Sequence, residues 1–461
     1  MLERIGAAVW GWQTMALFVG TGLLFTLRLR GVQVRRLGRA LRSIFAESGA
    51  ESGISSFAAL CTSLAATIGT GNIVGVATAM HLGGPGALFW MLAAALLGMA
   101  TQYAEGYLSV RYRIRQGGRW LGGPFLYIER GLGKKWKWLA VLFAATGVAV
   151  GILGVGTVTQ VNSITSAVEN FFDAQHAHTA FTLLGRAYSW AAVISGALVT
   201  LAAGLVLLGG VKRIAGFCEM LVPLMSATYV LLSVLILVRF AGRIPAAVGL
   251  IVRSAFSPKA ALGAAAGVTL KGALRMGIGR GVFTNEAGLG TTPIAAAAAR
   301  SGDPVRQGLV AMTGTFIDTL VICTITGLCL TVTGAWARPG LEGVQITDWA
   351  WRTALPWSEA FSSFCLMLCL CFFAFSTIVG WSFYAEQCLN YLTGGRESAV
   401  RLYRFAYLLA VAIGPYLSVR ATWEMADILN ALMALPNLTA LLLLRRQVTT
   451  GNGSLTKVME K

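Results

Sequence analysis

Charge is what this chain has least of. Only 12 % of its 461 residues are Asp, Glu, Lys or Arg, about half the share of an average soluble domain. Hydrophobic residues make up 56 %, and the mean hydropathy is +0.69. Histidine is nearly missing: His81, His176 and His178 form no metal-ligand pattern. With no His/Asp/Glu cluster, nucleophile elbow or separate polar domain, a membrane-embedded enzyme finds no support. No repeated filter sequence or ring of pore charges is present, which argues against a channel. Short alternating segments are also lacking, and these would mark a β-barrel. Eight cysteines lie mostly inside apolar runs, among them Cys323, Cys329, Cys365, Cys369 and Cys371. Their spacing fits neither a disulfide framework nor a metal site.

What is present is a series of apolar stretches, each long enough to cross a bilayer. Eleven are readable, near 9–29, 53–80, 84–112, 138–172, 185–208, 217–240, 260–281, 305–334, 356–392, 401–419 and 422–445. The formal net charge of +18 does not point to nucleic acid, because 27 of the 37 Lys and Arg fall in alternate short loops. That bias expects the N-terminus outside and the C-terminus cytoplasmic. A first run that is long and followed by Arg28, Arg30, Arg35 and Arg36 does not read as a cleaved leader. Segments 138–172 and 356–392 exceed one crossing and are expected to include tilted or interfacial ends. No linker divides the chain, so 1–461 is expected to be one all-α polytopic membrane domain in contact with lipid.

The second segment contains Gly69-Thr-Gly-Asn72 in its middle. Glycine costs roughly 1 kcal/mol against alanine in a helix, and backbone groups freed inside a bilayer need partners. A broken helix there either lines a polar cavity for cargo or is a close-packing seam of small residues; Asn72 favours the cavity. A second glycine-rich start runs from Gly263 to Gly277, five segments later. Two interrupted helices at matching places suggest inverted repeats with a site between them. Residues 277–298 look too polar to span and are expected as a cytoplasmic gate loop with a short helix.

Unwound half-helices offer N-terminal N–H groups to an anion and freed carbonyls to a cation. Gln160 and Asn162, in an otherwise apolar segment, suit a polar site or interhelical hydrogen bonding. Ser376 and Thr377 are adjacent hydroxyls that suit a hard cation, or their own helix backbone. Asp318 is an acid inside an apolar run, functional by default and open to a proton, second-cation or structural role. Glu105, Glu219 and Glu286 are expected near the cytoplasmic face, paired with Arg113, Arg213 or Arg280.

Several motifs together resemble the alanine/glycine:cation symporter family, the sodium:alanine symporters. They include Gly69-Thr-Gly-Asn72, Gly83-Gly-Pro-Gly-Ala-Leu-Phe-Trp-Met91, Gly98-Met-Ala-Thr-Gln-Tyr-Ala-Glu105, Gln160-Val-Asn162 and Gly209-Gly-Val-Lys-Arg213. Arg280-Gly-Val-Phe-Thr-Asn-Glu-Ala-Gly288, Phe316-Ile-Asp-Thr319, Phe375-Ser-Thr-Ile-Val-Gly-Trp381 and Pro436-Asn437 continue the series in order. The resemblance implies a LeuT-like 5+5 inverted repeat with one extra N-terminal helix: 9–29 extra, 53–240 first repeat, 260–445 second, 446–461 a cytoplasmic tail. It implies sodium-coupled uptake of alanine or glycine across the inner membrane, with proton coupling or exchange of a larger neutral amino acid as the alternative. Sodium would be held by Ala65, Ile68, Phe373, Ser376 and Thr377. The carboxylate of the amino acid would meet Thr70, Gly71 and Asn72, its ammonium the carbonyls near Ala265 and Ala266 and Gln160, and Trp381 would limit side-chain size. Leu92 stands where the family usually has Trp, and Ala264–Ala266 where relatives often carry Phe, which implies a roomier pocket.

Overall fold

The computed structural model describes residues 9–46, 53–173, 178–183, 186–257, 270–417 and 419–448. Helix dominates because, at hydrocarbon depth, a helix satisfies its own backbone groups. Helix α1 spans Trp12–Arg28, and α2, Leu37–Phe45, follows it. Next come α3 (Ser56–Thr67) and α4 (Val76–Gly83). Together with π-turns over Gly71–Gly75 they form one membrane segment bent by 53° at its break. Helix α5, Gly86–Tyr112, leads to the hairpin of β1 (Ile114–Gln116) and β2 (Arg119–Leu121). Helices α6 (Lys137–Leu153) and α7 (Val158–Phe172) precede a second hairpin, β3 (Thr179–Leu183) with β4 (Arg186–Ser189). Then follow α8 (Trp190–Leu207), α9 (Gly210–Arg239) and the peripheral α10 (Ile244–Phe256).

The second half opens with α11 (Leu270–Asn285) and the short α12 (Thr292–Ala297). Helix α13 (Pro304–Thr315) widens into π-turns over Phe316–Cys323 and resumes as α14 (Thr324–Thr333). Helix α15 (Val344–Ala354) packs on α14 and on the 35-residue α16 (Glu359–Thr393) that follows it. Helices α17 (Glu397–Ile413) and α18 (Val419–Leu443) complete it. Seven spans, among the described residues, are long and apolar enough to cross a membrane, and the bent α3–α4 pair makes eight. Helices α1 and α17 have 17 residues each, at the lower limit for a crossing.

Helix α5 is the centre of one packing group, with α1, α11 and α13 against it, while α16 packs on α3, α6, α7 and α9. Small residues let these helices approach closely. A Cβ on Gly106 would stand 2.7 Å from the Ala311 Cβ, and one on Gly380 2.7 Å from the Ala66 nitrogen. The free cysteines Cys61, Cys218, Cys323, Cys329, Cys369 and Cys388 are buried packing residues.

One expectation needs correction. Residues 277–298 are no external loop. They are the end of α11, a break and α12, buried throughout except for partly covered Gly279 and Arg280. Arg275 and Arg280 accordingly lie at the end of the bundle that holds Trp10, Leu82 and Gly343, which leaves 25 of 37 basic residues on the expected side. Segment 138–172 is interrupted at Gly154–Thr157. At the opposite end, the start of α3 is laced to the end of α12. Ile54 N–H donates to the Ala298 carbonyl at 3.1 Å, and Arg300 N–H donates to the Ile54 carbonyl at 2.8 Å. Arg113 donates to the Ala297 carbonyl at 3.0 Å and the Ala299 carbonyl at 2.5 Å.

Candidate functional site

The break after α3 is made by sequence: Ile68 and Gly69 leave the helical path, and Asn72 ties the gap. Its Oδ1 accepts Gly69 N–H at 3.0 Å. Its Nδ2 donates to the Asp318 carbonyl at 3.1 Å and to Asp318 Oδ1 at 2.8 Å. Both amide hydrogens thus have acceptors within the protein. Asp318 also accepts from the Thr319 hydroxyl at 2.6 Å, so it fastens the break to the π-turns after α13. Sites where a helix widens into π-turns recur at functional positions.

The C-terminal end of α3 faces α16. Ser376 donates its hydroxyl toward Phe373 O at 2.8 Å, Ala65 O at 3.1 Å and Ile68 O at 3.3 Å. Thr377 Oγ1 lies 3.1 Å from Phe373 O. All five expected cation ligands therefore meet in one place, two of them carbonyls at the C-terminal end of α3, where partial negative charge collects. Gly69 has to lack a side chain here, since a Cβ would sit 2.5 Å from Thr377 Oγ1 and 3.6 Å from Gln160 Oε1. Gln160 and Thr70 are buried, and neither Gln160 Oε1 nor Thr70 Oγ1 has a hydrogen-bond partner. Buried oxygens without partners are rare in folded proteins, and these two stand beside the same break. Asn162, by contrast, donates to the Gly414 carbonyl at 2.9 Å, an interhelical bond.

Trp381 is fully buried one turn further along α16. Its Cβ packs on Gly156, in the interruption between α6 and α7, where an added Cβ would stand 2.5 Å away. Its indole N–H donates to Glu286 Oε1 at 3.0 Å, and Glu286 Oε2 accepts from the Thr291 hydroxyl at 2.6 Å. Glu286 has φ +55°, a left-handed conformation that non-glycine residues rarely adopt, and it opens the break between α11 and α12. The two breaks touch: a Cβ on Gly71 would lie 2.8 Å from Thr284 Oγ1. Asn285 donates to Thr319 at 3.2 Å, and Gln102 donates to Asn285 O at 2.9 Å and to Thr292 Oγ1 at 3.1 Å.

The arginine pairings expected for the glutamates are not among their bonds. Glu286 bonds to Trp381 and Thr291, Glu105 accepts from Asn437 at 2.6 Å, and Glu219 accepts from Ser55 at 3.4 Å. Burial in a network of neutral donors replaces the ion pairs. Ala265 and Ala266 lie outside the described residues. Sequence reasoning missed Glu286, Thr291, Gly156 and the role of Thr284; the clue was the polar density of 277–298 itself. A cavity of about 1040 Å³ opens at the end where α3 begins, lined by Ser55, Trp120, Lys212, Glu219, Arg300 and Phe383 among others.

The model of the sodium:alanine symporter family matches residues 1–457. The chain belongs to that family. This symporter is 43 % identical over 453 residues to the sodium/alanine symporter AgcS of Methanococcus maripaludis, covering 96 % of this chain and 94 % of that one. It is 49 % identical over 450 residues to an uncharacterized transporter of Haemophilus influenzae, covering 97 % and 94 %. A putative sodium/proton-dependent alanine carrier of Bacillus subtilis, YrbD, is 36 % identical over 461 residues, covering 96 % and 90 %. The symporter is thus a multi-pass membrane transporter of an amino-acid carrier family and not an enzyme.

Proposed function

We propose that this protein imports small neutral amino acids, alanine and glycine first, in symport with sodium by alternating access. The observation that carries the reading is the meeting of Ala65, Ile68 and Phe373 carbonyls at the Ser376 hydroxyl, with Thr377 beside them. Sodium prefers hard oxygen donors, and a helix C-terminus supplies them without a buried counter-charge. Directly across the same break, the chain resumes as a helix whose first N–H groups lack intrahelical acceptors. Those of Thr70 and Gly71 are assigned to the substrate carboxylate. Asn72 then acts through its hold on Gly69 and Asp318 more than through its own amide.

The unpartnered Gln160 Oε1 is the acceptor for the substrate ammonium. Trp381, locked by Glu286, bounds the side-chain pocket. Ala265 and Ala266 keep their proposed part as ammonium carbonyls. The two discontinuous helices, 56–83 and 270–297, are read as the first helices of two inverted five-helix repeats of the LeuT type. With 270–297, α1 and α17 counted as crossings besides the eight, eleven result. The arginine-rich end with β1–β2 then faces the cytoplasm, so the N-terminus is outside and the C-terminus inside.

Uptake of labelled alanine into proteoliposomes, measured against sodium concentration, tests this. Replacing Ser376 and Thr377 together by alanine is expected to raise the half-saturating sodium concentration at least tenfold, with little change in alanine affinity at saturating sodium. Unchanged sodium dependence in the double variant, or equal uptake in choline, overturns the assignment.

A further inference from the structure

Three carboxyl groups are buried between the breaks, and one differs from the others. Asp318 and Glu286 have a donor on each oxygen. Glu105, on the second half of α5, has a donor on only one. Asn437 Nδ2 reaches its Oε1 at 2.6 Å, while Oε2 is buried and bonded to nothing. Asn437 can offer no more. Its amide also donates to the Gly288 carbonyl at 2.9 Å, and its oxygen accepts from the Tyr127 hydroxyl. The break brings the backbone of Gly288 and Gly290 toward the carboxyl, yet no hydrogen bond reaches Oε2. The titratable groups that face Glu105 are Glu286 from the break, Tyr127 from the turn before α6, and Tyr384 from α16. No lysine, arginine or histidine forms an ion pair with it among the described residues.

A carboxylate with one bare oxygen, no cation and an acidic neighbour is untenable at this depth, where charges are paired or neutralised. A proton neutralises it without needing room. We infer that Glu105 is the binding site of a transported proton, occupied in the conformation described here. The proton comes from water and joins Oε2. It returns to water when α12 and its break swing away and expose the carboxyl, regenerating the carboxylate. The site is distinct from the proposed sodium ligands and from the alanine contacts. The functional arm of the test rests on the transport reading, and the spectroscopic arm does not.

A neutral glutamine at this position imitates the protonated state permanently. The Glu105→Gln protein is expected to exchange internal for external alanine within about twofold of the parent, because the loaded form still crosses. Net sodium-driven accumulation should fall at least tenfold, because the unloaded return requires the carboxylate. Glu105→Asp should restore much of it. In the infrared, the parent should show the C=O stretch of a neutral carboxyl at neutral pH that Glu105→Gln lacks. Absence of that band from the parent overturns the inference, and so does undiminished net uptake in Glu105→Gln. Equal loss of exchange and uptake, with alanine binding intact, makes Glu105 a scaffold residue and overturns it too. Should the glutamine variant not fold, Glu105→Asp carries the test: it should shift the neutral-carboxyl band, and an unshifted band overturns the inference.

Discussion

Gln160 offers the sharpest test of where the substrate ammonium sits. Its Oε1 is buried, lacks a partner and lies against the unwound stretch at Gly69. The empty protein already bears the cost of that unmet acceptor, roughly 1–3 kcal/mol for a buried polar group. Removing it should therefore leave the fold unharmed: Gln160→Ala is expected to elute and melt as the parent does. Binding is another matter. A hydrogen bond to a charged ammonium is worth about 1.5–3 kcal/mol, and each 1.4 kcal/mol is tenfold in affinity. Alanine and glycine should thus weaken together by roughly ten- to a hundredfold, since the ammonium is common to both. The half-saturating sodium concentration at saturating alanine should stay within about twofold. Scintillation proximity with labelled alanine, competed by glycine, reads the affinity, and a sodium titration reads the rest. A deamino analogue such as propionate supplies the control, because it should bind parent and variant alike. The reasoning fails if Gln160→Ala binds alanine as tightly as the parent does, or if it loses propionate and alanine equally.

Two further substitutions probe the walls of the site. Trp381→Ala should leave glycine affinity nearly intact while admitting serine or threonine, because it removes a wall but no contact to the charged groups; equal loss of glycine and alanine with no new substrate would make the tryptophan a packing residue only. Gly380→Ala would press a Cβ onto the Ala66 backbone, 2.7 Å from its nitrogen. It should part α3 from α16 and raise the half-saturating sodium concentration at least fivefold, whereas Gly20→Ala, which meets nothing within 4 Å, should not. A sodium titration that cannot tell these two variants apart would show that the spacing of α3 and α16 is not what holds the ion.

The first break was legible because Gly69, Thr70, Gly71 and Asn72 interrupt an otherwise apolar run, and such an interruption has few physical explanations inside a bilayer. The adjacency of Ser376 and Thr377 was visible too; Ala65, Ile68 and Phe373 were expected beside them only through the family resemblance, and the fold brings the five together. The second break was misread for the opposite reason. Polarity in 277–298 looked like a demand for water, yet Asn285, Glu286, Thr291 and Thr292 meet Thr319, Trp381 and Gln102. Hydropathy scores each residue against solvent and is blind to partners that arrive from other helices. The same blindness turned Glu105 and Glu286 into expected surface ion pairs. The interruption at Gly154–Thr157 was hidden, since it lies within the apolar stretch Lys134–Phe172. Its purpose, making room for Trp381, is written 225 residues away.

The lacing of Ile54 to Ala298 and Arg300 gives the two breaks a common handle. Each half-helix alone could tilt by degrees, and a carrier built that way would leak, one ligand slipping out while the other stayed. Because Ile54 bonds to Ala298 and Arg300, 244 and 246 positions away, with hydrogen bonds in both directions, the stub bearing Ala65 and Ile68 is tied to the end of α12. On the proposed reading, the sodium ligands of α3 and the break beside Glu286 would then move as one piece.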